Sequence, residues 1–135
     1  MSQTHEAIFQ TLKDYYDEGN VPNLVLFGDY QSGKKKLLSD FVNYIYSKTK
    51  RKEEYIMRVN CLNANGIKFV RDDIKFFAQK VFFNQDKNQF KSIILYNAEL
   101  LTIDAQSALR RCIELFSKST RFFLVVQNKA KLLKP

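Results

Sequence analysis

The sequence has only two cysteines, one histidine, two prolines and four glycines among its 135 residues, and no tryptophan. Two cysteines cannot build a disulfide framework, and with a single histidine they do not complete a zinc site. No apolar run is long enough to cross a membrane, and the N-terminus lacks the basic and apolar regions of a signal peptide. These scarcities exclude metal-dependent hydrolysis on Cys and His ligands. They predict a reducing intracellular compartment and no membrane partner.

Basic and apolar residues are abundant by comparison. Lysine and arginine total 22 against 14 acidic residues, which gives a formal net charge of +8, and apolar residues make up 45% of the chain. The length predicts a single domain spanning residues 1–135, with enough core material to be ordered. The charge excess favours a polyanion partner such as nucleic acid, although a solvated lysine-rich surface accounts for it almost as well.

Short apolar runs alternate with segments of helical periodicity along the chain. Strands are predicted over residues 23–27, 55–59, 92–95 and 122–126, and the first of them, NLVLF, is typical of a buried strand. Helices are predicted over residues 8–16 and 35–48, from Ile67 to Val81, and after the capping residue Thr102. This alternation predicts an α/β fold with three layers, in which helices cover both faces of a mostly parallel sheet of about four strands (an αβα architecture).

A glycine-rich turn directly follows the first predicted strand. Gly28, Gly33 and Lys34 form the pattern Gly-x4-Gly-Lys between a strand and a helix. In such a phosphate loop, backbone N–H groups at the helix N-terminus surround a diphosphate and the lysine adds a positive charge. The next position, where a hydroxyl binds magnesium, holds Lys35. Because a cation cannot ligate a cation, we expect either binding of ATP or ADP without turnover, or no nucleotide binding.

Three further segments carry a specific resemblance. They are GNVPNLVLFG (residues 19–28), GIKFVRDDIKFFA (residues 66–78) and AELLTIDAQSALRRCIELFSKSTRF (residues 98–122). From about Ile8 to Pro135 the chain resembles the AAA+ core of clamp-loader small subunits, the replication factor C small subunits and their archaeal and viral relatives. The resemblance implies a RecA-like phosphate-loop core that stops before the Ser-Arg-Cys motif, the lid domain and the collar domain of that family.

The third strand ends with a departure from the family pattern. The resemblance implies an Asp-Glu-Ala-Asp run there, in which the first Asp organises magnesium and the Glu polarises the attacking water. This chain has Tyr96, Asn97, Ala98 and Glu99 instead. Tyr96 supplies no metal-organising charge, Asn97 cannot accept a proton as Glu can, and Glu99 replaces neither role. We therefore expect no ATP hydrolysis and no catalytic residues.

The position of the sensor-1 asparagine follows the fourth predicted strand. Gln127 occupies it, with Asn128 as the alternative if the alignment slips by one residue. This assignment also rests on the resemblance.

The third predicted helix carries cations opposite its apolar face. Lys68, Arg71 and Lys75 are spaced i, i+3 and i+7, a stripe suited to a row of phosphates. The resemblance implies that this helix faces DNA at the centre of the clamp-loader spiral. An ordinary solvated face is the alternative, since Asp72 and Asp73 dilute the positive potential.

Three polar residues follow on the helix after Thr102. The resemblance implies that Gln106, Arg110 and Arg111 relay DNA binding to the nucleotide site and to neighbouring subunits. A surface ion pair between Arg111 and Glu114 is an equally open interpretation.

Together these features predict a non-catalytic, clamp-loader small-subunit-like protein of DNA replication. It would bind DNA, clamp-loader subunits or the sliding clamp in a hetero-oligomer, at the site of replication in the nucleus, the cytoplasm or a viral factory. The alternatives are an ATPase subunit whose active site is completed by partners, and an interaction module outside replication.

Overall fold

The computed structural model describes residues 3–28, 33–62, 67–80 and 90–127. The helices are α1 (Gln3–Asp17), α2 (Lys34–Ile45), α3 (residues 67–79) and α4 (Ile103–Leu115). The strands are β1 (Leu24–Phe27), β2 (Ile56–Asn60), β3 (Lys91–Tyr96) and β4 (Thr120–Val126). Short 3-10 turns lie at Lys52–Tyr55 and Ala98–Leu100. Within the described ranges, no helix combines the length and apolarity that a membrane crossing requires.

The four strands form one sheet in the order β1-β4-β3-β2, and every neighbouring pair is parallel. In the register of the sheet, Phe27 lies opposite Val126, and Tyr96 lies opposite both Val125 and Asn60. The carboxyl ends of all four strands therefore meet along one edge. This arrangement confirms the predicted parallel α/β sheet and places the residues that follow the strands side by side.

Helices cover both faces of the sheet. On one face α1 and α2 pack on alternate strand residues, with Phe41 and Phe123 fully buried. On the other face α3 and α4 pack around Val70, Leu109 and Phe122. Because successive residues of a strand point to opposite faces, Phe122 and Phe123 belong to different halves of the core. The predicted three-layer αβα architecture is confirmed.

Strand β1 is less buried than its apolar sequence predicts. Val25 is 41% exposed and Phe27 is 45% exposed. β1 is at the edge of the described sheet, and its side towards α4 is only partly covered. A groove of about 300 Å³ remains between β1 and α4. The prediction of a buried strand was therefore wrong, because an apolar run does not reveal whether its strand is central or at an edge.

Helix α3 has the predicted apolar face, with Val70, Ile74, Phe77 and Ala78 buried. Val81, predicted to extend that face, lies outside the described residues. The helix is not uniform, because Val70–Ile74 forms a π-helical turn between α-helical segments. The apolar periodicity did not predict this turn.

A buried lysine closes the C-terminal end of α3. Lys91 is 2% exposed, and its ammonium group donates to the carbonyl oxygens of Phe77 (3.4 Å), Ala78 and Lys80. The Phe77 carbonyl also accepts from the backbone N–H of Lys80 at 3.2 Å, and the helix ends at Gln79, so its last carbonyls have no further N–H groups within the helix. Lys91 thus ties the end of α3 to the start of β3.

Candidate nucleotide-binding site

The phosphate loop joins β1 to α2. Gly28 follows β1 directly, and Gly33 is the N-cap of α2 with a left-handed backbone (φ 78°). Glycine adopts this conformation without the steric cost that a Cβ would bring. The buried Lys34 donates from its ammonium group to the carbonyl of Gly28, which links the two ends of the loop. The intervening residues 29–32, whose backbone N–H groups would complete the predicted phosphate cradle, lie outside the described residues.

Lys35 and Tyr96 contact each other across the end of the sheet. The Lys35 ammonium lies 5.3 Å from the centroid of the Tyr96 ring, a cation–π arrangement. The Tyr96 ring is partly buried, and burial raises the pKa of its hydroxyl above the ordinary value, with Arg58 opposing. The phenol is therefore neutral at physiological pH.

Asn97 turns the chain after β3 and is held by a second asparagine. Its backbone is left-handed (φ 59°), which Asn tolerates better than most residues. Its side-chain amide donates to Oδ1 of Asn60 at 3.0 Å, and the same oxygen accepts from the backbone N–H of Leu62. Sequence reasoning missed Asn60. The signal was a polar residue at the carboxyl end of a predicted strand.

Glu99 faces the chain after β4. Its side chain is buried, and Oε1 accepts from the backbone N–H of Gln127 at 3.4 Å. Its other oxygen, Oε2, has no hydrogen-bond partner in the described part of the chain. Gln127 itself is exposed at the carboxyl edge of the sheet, where a sensor residue is expected. Asn128, the alternative for that position, is outside the described residues.

A depression of about 180 Å³ opens between the start of α2 and the ends of β3 and β4. It is lined by seven residues: Gly33, Lys34, Lys35, Lys36, Asn97, Val125 and Gln127. None of these is acidic. Three lysines and the N-terminus of α2 make the depression positive, and an anion is the ligand that such a surface favours.

A magnesium ion does not fit this site. Magnesium needs oxygen ligands in near-octahedral geometry, supplied by a hydroxyl and carboxylates in the resembled family. Here the hydroxyl position carries the Lys35 ammonium, which lies over the ring of a neutral Tyr96. Glu99 does not line the depression. Across the described ranges, no three His, Cys, Asp or Glu side chains come together to hold a metal ion.

The structure places Lys68, Arg71 and Lys75 on the outer surface of α3. All three are exposed, as are Asp72 and Asp73, and buried Val70 and Ile74 lie on the opposite side. None of the three cations is in a described ion pair. They are thus accessible and separate from the depression at the end of the sheet.

The three predicted coupling residues on α4 differ in their surroundings. Gln106 is buried and donates to the carbonyl of Leu101 at 3.0 Å, just beyond the N-cap formed by Thr102. Gln106 and Arg110 line the groove beside β1, whereas Arg111 does not. Arg111 is exposed, and in the described residues it forms no ion pair with Glu114 within 4.0 Å. The i, i+3 ion pair is thus absent from this structure.

Similar proteins of known sequence were found along nearly the whole chain. Replication factor C subunit 3 of Blastobotrys adeninivorans is 36% identical over 130 residues, which are 95% of this chain and 37% of that protein. The replication factor C small subunit of Sulfolobus acidocaldarius is 34% identical over 130 residues, 96% of this chain and 39% of that protein. Human replication factor C subunit 5 is 33% identical over 131 residues, 96% of this chain and 37% of that protein. No family model matches.

Solved structures share the fold. A DNA polymerase III gamma subunit-related protein from Thermotoga maritima superimposes with a TM-score of 0.71 at 18% identity, covering 93% of this chain and 41% of that one. RuvB from the same organism gives 0.67 at 12% identity, covering all of this chain and 41% of its own. The chain spans well under half the length of the curated relatives it matches. The sequence matches along nearly the whole chain show that it is a relative of the replication factor C small subunits, and the solved structures show that it has the AAA+ phosphate-loop fold.

Proposed function

We propose that this chain acts in DNA replication as a clamp-loader small-subunit-like component that does not hydrolyse ATP. The observation that carries the proposal is the engagement of Lys35, Tyr96 and Asn97, which stand where the resembled family has a hydroxyl and two carboxylates. Lys35 lies over Tyr96, and Asn97 bonds to Asn60. Neither arrangement offers an anionic ligand or a proton acceptor. Metal organisation and water activation each lower a barrier by several kcal/mol, so their combined loss opposes turnover.

DNA is the proposed polyanion partner. The exposed cations Lys68, Arg71 and Lys75 support a contact with phosphates, which positions a protein on DNA without reading its sequence. The names of the relatives support a place in replication, hence within the cell where DNA is copied. Clamp-loader subunits and a sliding clamp are the proposed protein partners, in a hetero-oligomer. The apolar groove beside β1, with its exposed Val25, supports a protein contact on that side.

ATP turnover by the purified chain, with and without primed DNA, tests the loss of catalysis. We expect no phosphate release above the buffer rate in either condition. Lys34→Ala is the control, because it removes the phosphate-loop lysine while leaving Lys35 and Tyr96 in place. Turnover in the original chain that Lys34→Ala abolishes would favour the alternative, an ATPase subunit.

Capture of partners from a replicating cell tests the place in replication. We expect clamp-loader subunits or a sliding clamp among the proteins that the tagged chain retains. If reconstituted clamp-loader subunits and clamp show no binding to the chain, the remaining alternative is an interaction module outside replication.

A further inference from the structure

Lys35 stands at the position where a hydroxyl binds magnesium in the resembled family, and its contacts differ from those of Lys34 and Lys36. Lys34 is buried and donates to the carbonyl of Gly28. Lys36 is exposed and lies 3.8 Å from the carboxylate of Asp40. Lys35, by contrast, has no ion pair in the described part of the chain, and its ammonium rests on the face of Tyr96. A cation–π contact is weaker than a charged hydrogen bond to a phosphate, so Lys35 is available to an incoming anion.

The depression that Lys35 helps to line has the chemistry of a diphosphate site. Its described lining contains three lysines and no carboxylate. Gly33, in a left-handed conformation, is the N-cap of the 12-residue helix α2. The buried Lys34 lines the same depression, so one of the phosphate-binding charges is fixed before a ligand arrives. In other phosphate sites magnesium offsets the mutual repulsion of the phosphate oxygens. Here a second lysine, Lys35, supplies positive charge for the same purpose.

We propose that Lys35 takes the electrostatic role of magnesium and that this chain binds the diphosphate group of a nucleotide without a divalent metal. The inference goes beyond the proposed loss of hydrolysis, because a site can lose catalysis and still require the metal for binding. A magnesium ion carried in by the nucleotide would approach the Lys35 ammonium, and the two like charges would repel. Magnesium is therefore expected to leave affinity unchanged or to weaken it.

Titration of the whole chain with fluorescent mant-ADP, in EDTA and in excess magnesium, tests the proposal. We expect binding in EDTA at least as tight as binding in magnesium, and displacement of the probe by inorganic pyrophosphate in both. Lys35→Ala should lower the affinity in EDTA about ten- to a hundredfold. Lys118→Ala removes the same charge from an exposed turn at the opposite end of the sheet and should change nothing. Circular dichroism checks that both variants remain folded.

Three outcomes would overturn the inference. They are binding that requires magnesium, no binding in either buffer, and an affinity in EDTA that Lys35→Ala leaves unchanged. A reciprocal variant sharpens the test: Lys35→Thr with Tyr96→Asp restores a hydroxyl and a carboxylate, and its binding should become magnesium-dependent. If the affinity of this variant is the same with and without magnesium, Lys35 does not take the role of the metal ion.

The outcomes also separate this inference from the proposed function. Failure of nucleotide binding leaves the proposed absence of hydrolysis and the proposed partners untouched. Magnesium-dependent ATP turnover by the original chain would overturn both proposals.

Discussion

The ammonium group of Lys35 lies 5.3 Å from the centre of the Tyr96 ring. The two residues come from different segments, one from the first turn of α2 and the other from the end of β3. In the resembled family these positions bind one metal ion together. In this chain they attract each other directly, as a cation and the face of a ring. The structure thus has a direct side-chain contact at two positions where the resemblance implies a shared metal ion.

A double-mutant cycle should measure this contact. We expect Lys35→Ala and Tyr96→Leu to show a coupling free energy of about 0.5–1 kcal/mol, the value of a cation–π pair that water reaches in part. Urea denaturation of the four proteins gives the free energies of unfolding. A parallel cycle with Lys36→Ala, whose side chain pairs with Asp40 instead, should give a coupling near zero. Equal coupling in both cycles would contradict a specific contact.

Salt dependence should reveal whether the α3 cations contact DNA. Replacing Lys68, Arg71 and Lys75 with alanine removes three exposed charges from one helix surface. Each phosphate contact contributes about 0.9 to the slope of log K against log salt, so the slope should fall by about 2–3. Fluorescence anisotropy with labelled primed DNA, repeated across salt concentrations, measures it.

A charge-matched variant completes the DNA experiment. It replaces three exposed lysines elsewhere with alanine: Lys48, Lys50 and Lys118. The net charge falls by the same amount, so a general attraction between a basic protein and DNA would fall equally in both variants. Equal slopes would contradict an α3 contact and would favour a solvated surface.

Lys91→Met should destabilise the fold. The substitution leaves the carbonyl of Ala78 without the buried ammonium that it accepts from, whereas the carbonyl of Phe77 keeps the backbone N–H of Lys80. A buried carbonyl that loses its partner costs about 1–3 kcal/mol, and we expect the free energy of unfolding to fall within that range. Urea denaturation measures it, with Lys118→Met as the exposed control. A loss below about 0.5 kcal/mol would show that water replaces the lysine at the end of α3.

The buried thiol of Cys61 should make stability fall at alkaline pH. Burial, with the nearby Glu99 carboxylate adding to it, raises the pKa of Cys61 from 9.0 to about 12. Below the unfolded pKa both states hold the proton, and stability is unaffected by pH. Above it the unfolded state releases the proton while the folded state keeps it, so stability declines as pH rises towards 12.

Comparison with Cys61→Ala isolates this group from other alkaline titrations. The urea midpoint of the original chain should fall more steeply between about pH 8 and about pH 10 than that of the variant. Iodoacetamide gives a second readout. Because burial raises the pKa of the thiol and keeps it protonated at about pH 8, labelling should be slow until urea exposes it. Identical pH profiles and rapid labelling of the folded protein would both contradict the buried thiol.

Local features of the fold were predictable because neighbouring residues specify them. Leu37, Leu38 and Phe41 stand at helical spacing within the helix predicted over residues 35–48, and all three are buried on one side of α2. Thr102 was predicted as an N-cap, and its side chain accepts from the N–H of Ala105 at 3.1 Å. Gly19 follows α1 and has a left-handed backbone (φ 74°), the conformation that glycine commonly takes just past the end of a helix. Periodicity and capping act over one or two turns, so they can be read along the chain.

The residue types at the candidate site could be read from the sequence alone. Lys35 and Tyr96 are not magnesium ligands of the usual kind, and Asn97 is not a carboxylate, wherever those residues lie in space. Only the tertiary structure decided that Lys35 lies on Tyr96, that Asn97 bonds to Asn60 and that Glu99 faces the backbone of Gln127. These contacts depend on strand order, because β4 lies between β1 and β3 while β2 lies beside β3, and this order sets which carboxyl ends are adjacent.

The exposure of one side of β1 and the burial of Lys91 are both set by where a strand lies in the packed sheet. Val25 is exposed because β1 lies at the edge of the described sheet, and Lys91 is buried because β3 begins beside the last turn of α3. An apolar run looks the same in sequence whether its strand is central or at the edge of the sheet. A lone lysine likewise looks the same whether it is buried or exposed. The sequence by itself determined the helices and strands, through local periodicity, and the residue types that stand at the phosphate loop, through residue identity. Pairing between distant segments, which only the packed sheet specifies, decided what each of those residues contacts.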